Sequence, residues 1–303
     1  MSGIVHVLTG PTAVGKTEWA LRWAEANGAE IVSCDSLLFY RGMDIGTAKP
    51  NALELERVPH HLIDICDVTT RITVVDYVRW AKSAVEAIEA KGRPILVTGG
   101  SGFYLGCFFG AVRDELAVPE TLRAAVAARF EGGGLSVPLD ELHALNPGGL
   151  GTLDTDNPRR VLRALERCLA SGQTLAALAE NFARLPGPFA EWTVRLTRLE
   201  TPTDQLAARI ERRVDAMLEQ GLVAEVQCLL TAGIETNPSA ARAIGYRETI
   251  QMLRGQLPAA KLKQEIVLST RRLVKKQRTW FRTQLPPHRL ASTADASVAS
   301  LFE

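Results

Sequence analysis

Gly10-Pro11-Thr12-Ala13-Val14-Gly15-Lys16-Thr17 is a G-x4-G-K-T phosphate loop, and its surroundings decide the fold. A short apolar run over residues 3–8 precedes it and reads as a buried strand. A helical pattern over 16–26 follows and stops at Asn27-Gly28. In such a strand–loop–helix the glycines let backbone N–H groups turn inward as a nest for phosphate oxygens. The helix N-terminus adds partial positive charge. Lys16 supplies a point charge, and the Thr17 hydroxyl is the metal ligand, for Mg²⁺. The motif points to a di- or triphosphate; it does not distinguish ATP or another nucleotide from a different diphosphate.

Outward from the loop, residues 31–34 read as a second strand ending at Asp35, 75–90 as a helix, and 94–98 as a third strand running into Gly99-Gly100-Ser101. Strands alternating with helices predict an α/β fold: a P-loop NTPase-like parallel sheet core flanked by helices. Polar residues at the strand ends then gather at the carboxyl edge, where such sheets bind ligands. The middle of the chain changes character. Helical patterns at 120–130, 158–170 and 175–182 are separated by Gly132-Gly133-Gly134 and by residues 146–151. This predicts a mainly helical insertion domain over 118–188, inside a catalytic core of 1–117 and 189–303. Residues 193–199 alternate like a strand returning to the sheet. Helices are expected at 203–232, 240–254 and 258–282, and a weakly ordered tail from 291.

Apolar residues are 46% of the 303 and charged residues 23%, which excludes a disordered polyelectrolyte, a fibrous repeat or a disulfide miniprotein. No apolar run approaches membrane-span length and the N-terminus does not read as a secretory signal. The five cysteines, Cys34, Cys66, Cys107, Cys168 and Cys228, are odd in number and widely spaced. They predict neither a disulfide framework nor a zinc site, and fit reduced thiols in a cytoplasmic protein.

The net charge of +1 names no partner, but its distribution does. Residues 266–294 contain no Asp or Glu and seven Lys or Arg. A second basic cluster is Arg159, Arg160, Arg163 and Arg167, with Glu166 among them. Taken singly, either cluster is more simply a solvated helix face; together they suggest a polyanion docked at chosen places.

The strand over 94–98 does not end in the acid of a nucleotidase, whereas Asp35, ending the second strand, stands where a Walker B aspartate could. A long unusual motif follows it, DSLLFYRGMDIGTAKP (35–50). With GPTAVGKT (10–17), VPHHLIDICD (58–67), PILVTGGSGFY (94–104), DNPRRVLRALE (156–166), RIERRVDAMLEQGLVAEV (209–226), AIGYRE (243–248) and TRRLVKKQRTWFR (270–282), it makes the chain resemble the tRNA dimethylallyltransferases of bacterial type over nearly its whole length.

That resemblance implies transfer of a dimethylallyl group from dimethylallyl diphosphate to N6 of adenosine 37, next to the tRNA anticodon. It gives Gly10, Pro11, Thr12, Ala13, Val14, Gly15, Lys16 and Thr17 to the diphosphate, with Mg²⁺. It makes Asp35 the base that takes the amine proton, Arg213 a diphosphate clamp, and Ser101 a hydroxyl toward the diphosphate bridge. tRNA contacts are implied at Asp35, Ser36, Leu37, Leu38, Ser101, Arg123, Arg159, Arg160, Arg163, Arg242, Gly245, Tyr246, Arg247, Lys275, Lys276, Arg278 and Arg282. The target base must leave its stack to reach Asp35. The insertion and the last helix would then grip the anticodon stem-loop from two sides, with the protein acting as a monomer.

Two positions depart from the family pattern: Ser101 replaces the usual Thr, and Leu38 a frequent Gln, which puts a polar contact to the base in doubt. Arg212 is expected on another helix face from Arg213, solvated. Trp280 and Phe281 read first as packing, and His60-His61 as packing or loop rather than metal ligands. Rival readings are a small-molecule P-loop kinase, an adenylate isopentenyltransferase without an RNA grip, and an RNA-binding module with a relic nucleotide site. The kinase leaves residues 35–50 without purpose, and the basic clusters favour tRNA over free adenylate.

Overall fold

The computed structural model describes residues 3–112, 116–294 and 296–303. They form two compact units: Met1–Phe109 with Pro188–Glu303, and Gly110–Gly187. The helical unit thus begins before the boundary at 118 read from the sequence.

The larger unit is built on one six-stranded sheet in the order β3-β2-β4-β1-β5-β6, all neighbours parallel. The strands are β1 (Ile4–Thr9), β2 (Glu30–Ser33), β3 (His60–His61), β4 (Ile95–Gly99), β5 (Thr193–Glu200) and β6 (Arg289–Ser292). Val5, Val7, Leu8, Ile31, Val32, Leu96 and Val97 are almost wholly buried, as a parallel sheet covered on both faces demands. Full burial of one such side chain contributes about 1.5–3 kcal/mol. Residues 193–199 do return to the sheet, beside β1, with Val7 opposite Leu196.

Helix Lys16–Asn27 starts at Gly15 and is closed by Gly28 in the left-handed conformation. Helix Val74–Ala90 starts with a capping box between Thr73 and Asp76. The helix expected over 203–232 is two, Thr203–Glu219 and Leu222–Thr231, because the chain reverses through Gly221 at φ 100°. The 240–254 pattern splits into Pro238–Ala241 and Tyr246–Leu253. The last helix is Leu262–Gln284. The tail is not loose: β6 pairs with β5, Leu301 and Phe302 pack with Leu8, Trp23 and Leu199, and the Thr197 hydroxyl donates to the Leu301 carbonyl.

The smaller unit contains helices Glu120–Gly133, Ser136–Leu145, Pro158–Ser171 and Leu175–Ala183 around Val126, Leu142, Val161, Leu165 and Leu178. Its second helix lies between the two stretches read as joints; Pro138 in its first turn leaves no required hydrogen bond unmade. Asn157 caps Pro158–Ser171 by accepting from the Arg160 N–H.

Candidate active site

Lys16 and Thr17 open the first helix at the carboxyl edge of β1, and the loop before them is held in an uncommon shape. Gly10 and Gly15 take φ of 154° and 99°. A Cβ on Gly10 would lie 2.7 Å from the Leu199 carbonyl oxygen, so only glycine fits. Ala13 takes φ 67°, a conformation costly to a residue with a Cβ. The positive-φ non-glycine residues among those described are Ala13, Ala48, Leu62 and Asp64. Ala13 and Ala48 line one cavity, and Leu62 and Asp64 flank Ile63, which lines it too. Backbone strain is thus concentrated around a single hole in the protein.

That cavity, about 440 Å³, is lined by both polar and apolar side chains. Its polar and cationic lining comes from the loop, Lys16, Thr17, Gly99, Gly100, Arg209, Arg212 and Arg213, and its apolar lining from Ala20, Ile31, Leu38, Ala48, Pro50 and Ile63. Asp35 is the acidic residue of the lining. The Lys16 ammonium is folded in on the Gly10 and Pro11 carbonyls, at 2.9 and 3.0 Å. Burial lowers its pKa to about 8, with Asp35 opposing and Arg213 adding to the shift. Burial likewise draws the Arg213 guanidinium below its ordinary range, against the pull of Asp35. Arg213 donates to the Thr47 carbonyl at 3.0 Å, and Arg209 to the Val14 carbonyl at 2.8 Å.

The DIGTAKP loop forms a wall because other residues lock it. Glu225 accepts the Asp44, Ile45 and Gly46 N–H groups at 3.0, 2.7 and 3.2 Å, and the Tyr246 hydroxyl at 2.6 Å. Lys49, buried along its side chain, donates to the Tyr40 carbonyl at 2.9 Å and pairs with Asp44 and Asp64. Thr47, Ala48 and Pro50 are thereby presented to the cavity.

Asp35, half-buried, accepts the Leu37 N–H at 3.0 Å. It borders two further cavities. One, about 490 Å³, is lined by Ser36, Leu37, Ser101, Phe103, Lys276, Gln277 and Trp280. The other, about 280 Å³, is lined by Ser36, Arg213, Ser239, Arg242 and Thr270. Asp35 therefore borders both the cavity at the Gly10–Thr17 loop and a mixed polar–aromatic one. Gln277 joins the two sides: its Oε1 accepts the Thr12 N–H and its Nε2 donates to the Gly100 carbonyl, each at 2.9 Å.

Several expected positions move. Ser101 lines the outer cavity with Asp35 and is not among the residues lining the cradle; Gly99 and Gly100 take that place. Leu38 lines the cradle cavity, not the outer one, so it belongs to the apolar lining rather than to a base contact. Tyr246 is fully buried with its hydroxyl on Glu225, and Gly245 is buried, so neither is available to RNA. Arg247 is exposed and donates to Glu248 and Ser269. Asp35 follows a strand that is not a neighbour of β1, since β4 and not β2 lies beside β1, and Thr98 is the residue before the last of β4. Phe281 is core, whereas Trp280 packs flat on Gly102 at the outer cavity.

Lys275, Lys276 and Arg282 are exposed on the last helix, while Arg278 is half-buried and donates to Thr203 and to the Thr201 carbonyl. Arg242 is exposed at a cavity edge. In the helical unit Arg123, Arg159, Arg160 and Arg163 are all exposed; Arg160 pairs with Asp154 and Arg163 with Glu166. His60 lines the cradle cavity with Nδ1 2.7 Å from the Val58 carbonyl, and His61 pairs with buried Glu30. Among the described residues no group of three His, Cys, Asp or Glu could hold a metal ion.

Residues the sequence reading missed are Arg209, Arg212, Gln277, Phe103, Ser33 and Thr98. Arg212 is exposed, as expected, yet also lines the cavity. Arg209, Arg212 and Arg213 stand at i, i+3 and i+4, one helix face, and that spacing was a usable signal. Phe103, 67% exposed, sits in a run that reads as an ordinary strand-to-helix turn.

Residues 38–284 match the family described as IPP transferase. A tRNA dimethylallyltransferase of Opitutus terrae is 62% identical over 290 residues, 96% of this chain and 93% of that one. The crystal structure of a full-length tRNA isopentenylpyrophosphate transferase from Bacillus halodurans superposes with a TM-score of 0.69 at 32% identity, covering 96% of this chain and 90% of that one. A eukaryotic dimethylallyltransferase studied acting on tRNA shares the fold, with a TM-score of 0.81 at 23% identity over 96% of this chain and 74% of that one. A cavity lined by the loop, three arginines, apolar side chains and one carboxylate is compatible with prenyl transfer from a diphosphate, and the chain belongs to the IPP transferase family.

Proposed function

We infer that this protein is a tRNA dimethylallyltransferase: it transfers the dimethylallyl group of dimethylallyl diphosphate to N6 of adenosine 37, releasing diphosphate. The observation that carries this is the position of Asp35, which borders both the cradle cavity and the outer mouth lined by Ser101, Lys276 and Trp280. The diphosphate lies against the loop N–H groups, Lys16, Arg209 and Arg213, and the five-carbon tail against Leu38, Ala48, Pro50 and Ile63.

Adenine N6 is a weak nucleophile because its lone pair is delocalised into the ring. As its bond to C1 of the allyl group forms, the C1–O bond breaks and its electron pair leaves with the diphosphate. The N6 proton passes to Asp35 and from there to water. Lys16 and Arg213 neutralise the charge that builds on the leaving oxygen, and the apolar lining keeps water from the allylic carbon. Mg²⁺ would be held here by the Thr17 hydroxyl, since it keeps most of its waters and asks for few protein ligands. When bound, it supplies further charge neutralisation to the leaving group.

The reading includes tRNA held by Arg242, Lys275, Lys276 and Arg282 of the core unit and by Arg123, Arg159, Arg160 and Arg163 of the helical unit, their cations facing phosphates. It includes a monomer, since one chain furnishes the whole cradle, working in the cytoplasm, where the five free cysteines stay reduced. No helix among the described residues is long and apolar enough to cross a membrane. A hydroxyl rather than a carboxylate at the end of β4 speaks against a kinase. The test is mass analysis of tRNA after incubation with dimethylallyl diphosphate. One five-carbon unit gained at the adenosine 3′ of the anticodon is expected; phosphate release from ATP with unchanged tRNA would refute the reading.

A further inference from the structure

Buried hydroxyls in proteins are nearly always hydrogen-bonded, so the exceptions call for an explanation. Among the described residues, Ser33 Oγ and Thr98 Oγ1 are buried without a partner in the protein, and both residues line the cradle cavity. They are register partners on the adjacent strands β2 and β4, so the two side chains leave the sheet on the same face. Ser33 is 2% exposed, which leaves its hydroxyl nowhere to point but into protein or into the cavity. Lys16, Thr17 and Asp35 line the same cavity.

The place of Thr98 in the sheet adds a second argument. β4 lies directly beside β1, with Leu8 opposite Thr98. In those phosphate-loop nucleotidases whose Walker B strand lies next to the loop strand, that station carries the acid that directs a magnesium ion onto the phosphates. Here it carries a neutral hydroxyl, and a second one from β2 sits across from it.

We propose that Ser33 and Thr98 form a paired-hydroxyl site for the hydrated cation–diphosphate group, taking the station that a carboxylate holds in nucleotide-hydrolysing relatives of the loop. This rests on the reading that the cradle binds a diphosphate, and it says how the back of that cradle is finished. Each hydroxyl can donate to a phosphate oxygen or accept from a metal-bound water. A hydroxyl pair adds no negative charge beside a ligand that already carries several. It also leaves Asp35 as the sole carboxylate among the lining residues, so the proton acceptor does not share its cavity with a second acid.

The two hydroxyls have opposite effects on the ligand-free and ligand-bound states. An unpartnered buried hydroxyl destabilises the empty protein. Removing it therefore stabilises the empty protein and weakens the complex, a pattern that a merely structural hydroxyl does not give.

The experiment uses the full chain and inorganic diphosphate, with no tRNA, by titration calorimetry in Mg²⁺ and again in EDTA, with thermal unfolding of the ligand-free protein. Wild type is expected to bind in Mg²⁺. Ser33→Ala and Thr98→Val are each expected to lose about five- to tenfold in affinity, while Thr98→Ser stays near wild type. The ligand-free Tm of Ser33→Ala and Thr98→Val is expected to be unchanged or raised by about 2 °C. A loss confined to Mg²⁺ assigns the hydroxyls to the cation's waters; an equal loss in EDTA assigns them to phosphate oxygens; both support the proposal. Wild-type affinity in both variants overturns it while leaving the cradle reading intact, and so does a lowered Tm in both with affinity kept. Failure of wild type to bind diphosphate in Mg²⁺ overturns the cradle reading and the proposal with it. Should Thr98→Val not fold, Ser33→Ala against wild type decides by the same readouts.

Discussion

Gln277 Oε1 accepts the backbone N–H of Thr12 at 2.9 Å across 265 residues of sequence, tying the last helix to the phosphate loop. The same amide donates to Gly100, so one side chain sets the spacing between loop and β4 turn. Lys275 and Lys276 precede it on that helix. Gln277→Ala is expected to raise KM for dimethylallyl diphosphate about tenfold, because the loop N–H loses its fixed aim. Gln277→Glu keeps the acceptor for Thr12 but sets a carboxylate against the Gly100 carbonyl and beside the diphosphate, and should raise KM further than Gln277→Ala. Steady-state kinetics at saturating tRNA measures both.

Lys16 gives a pH signature. Its folded pKa of about 8 lies below the ordinary 10.5, so the ligand-free protein loses this proton between those values while the unfolded chain keeps it. The unfolded state then binds more protons, and stability of the ligand-free fold is expected to rise with pH from about 8 to about 10.5. A bound diphosphate favours the ammonium, so binding takes up a proton above pH 8 and this contribution to affinity declines there. Calorimetry in buffers of different ionisation enthalpy measures the uptake. Lys16→Arg, charged throughout, should show none from this position.

Asp35→Asn retains an oxygen to accept the Leu37 N–H, so the local turn survives. The amide cannot accept the amine proton. Turnover is expected to fall by about 10²–10⁴, with diphosphate affinity within a few-fold of wild type. Single-turnover prenylation beside diphosphate titration separates the two; turnover near wild type would remove Asp35 from its assigned role.

Phe103 is 67% exposed and shares the outer cavity with Asp35 and Trp280. An exposed aromatic face next to the proton acceptor is a platform for a base. Phe103→Ala is expected to raise KM for an anticodon stem-loop about tenfold and leave that for dimethylallyl diphosphate unchanged, while Phe103→Tyr restores binding.

Lys275 and Lys276 are exposed on the last helix, and Lys276 lines the outer cavity. Reversing both to Glu is expected to weaken tRNA binding and to flatten its dependence on salt, each lost phosphate contact taking about 0.7–0.9 from the log–log slope. Filter binding over a salt series checks this, with diphosphate affinity as the control; equal loss of both affinities would contradict the division of roles.

The cradle was legible because everything in Gly10–Thr17 is local: its glycines, its lysine and the helix it opens speak within eight residues. Asp35 was legible as the polar end of an apolar run. What stayed hidden depended on which elements meet. The strand beside β1 could not be known before the sheet order, so Asp35 could be read as standing where a Walker B aspartate could, although β4 and not β2 is the neighbour of β1. The IGYRE motif told of a fixed role but not of the side it faces; Tyr246 turns inward to Glu225, which in turn fastens residues some 180 positions earlier. Residues 289–292 were too short a run to be heard as a strand until β5 was there to pair with them.

The sheet order also sets a timetable for biosynthesis. β1 lies between β4 and β5, and its second neighbour begins only at Thr193. At roughly 5–20 residues per second a nascent chain therefore carries an apolar first strand flanked only by β4 for roughly 5–20 s before that second neighbour is made. The Gly110–Gly187 unit, with its own core, is complete earlier and can close as soon as it clears the ribosome. Translation pauses between β4 and Thr193 would prolong the vulnerable interval, and chaperone capture should concentrate on chains stalled there.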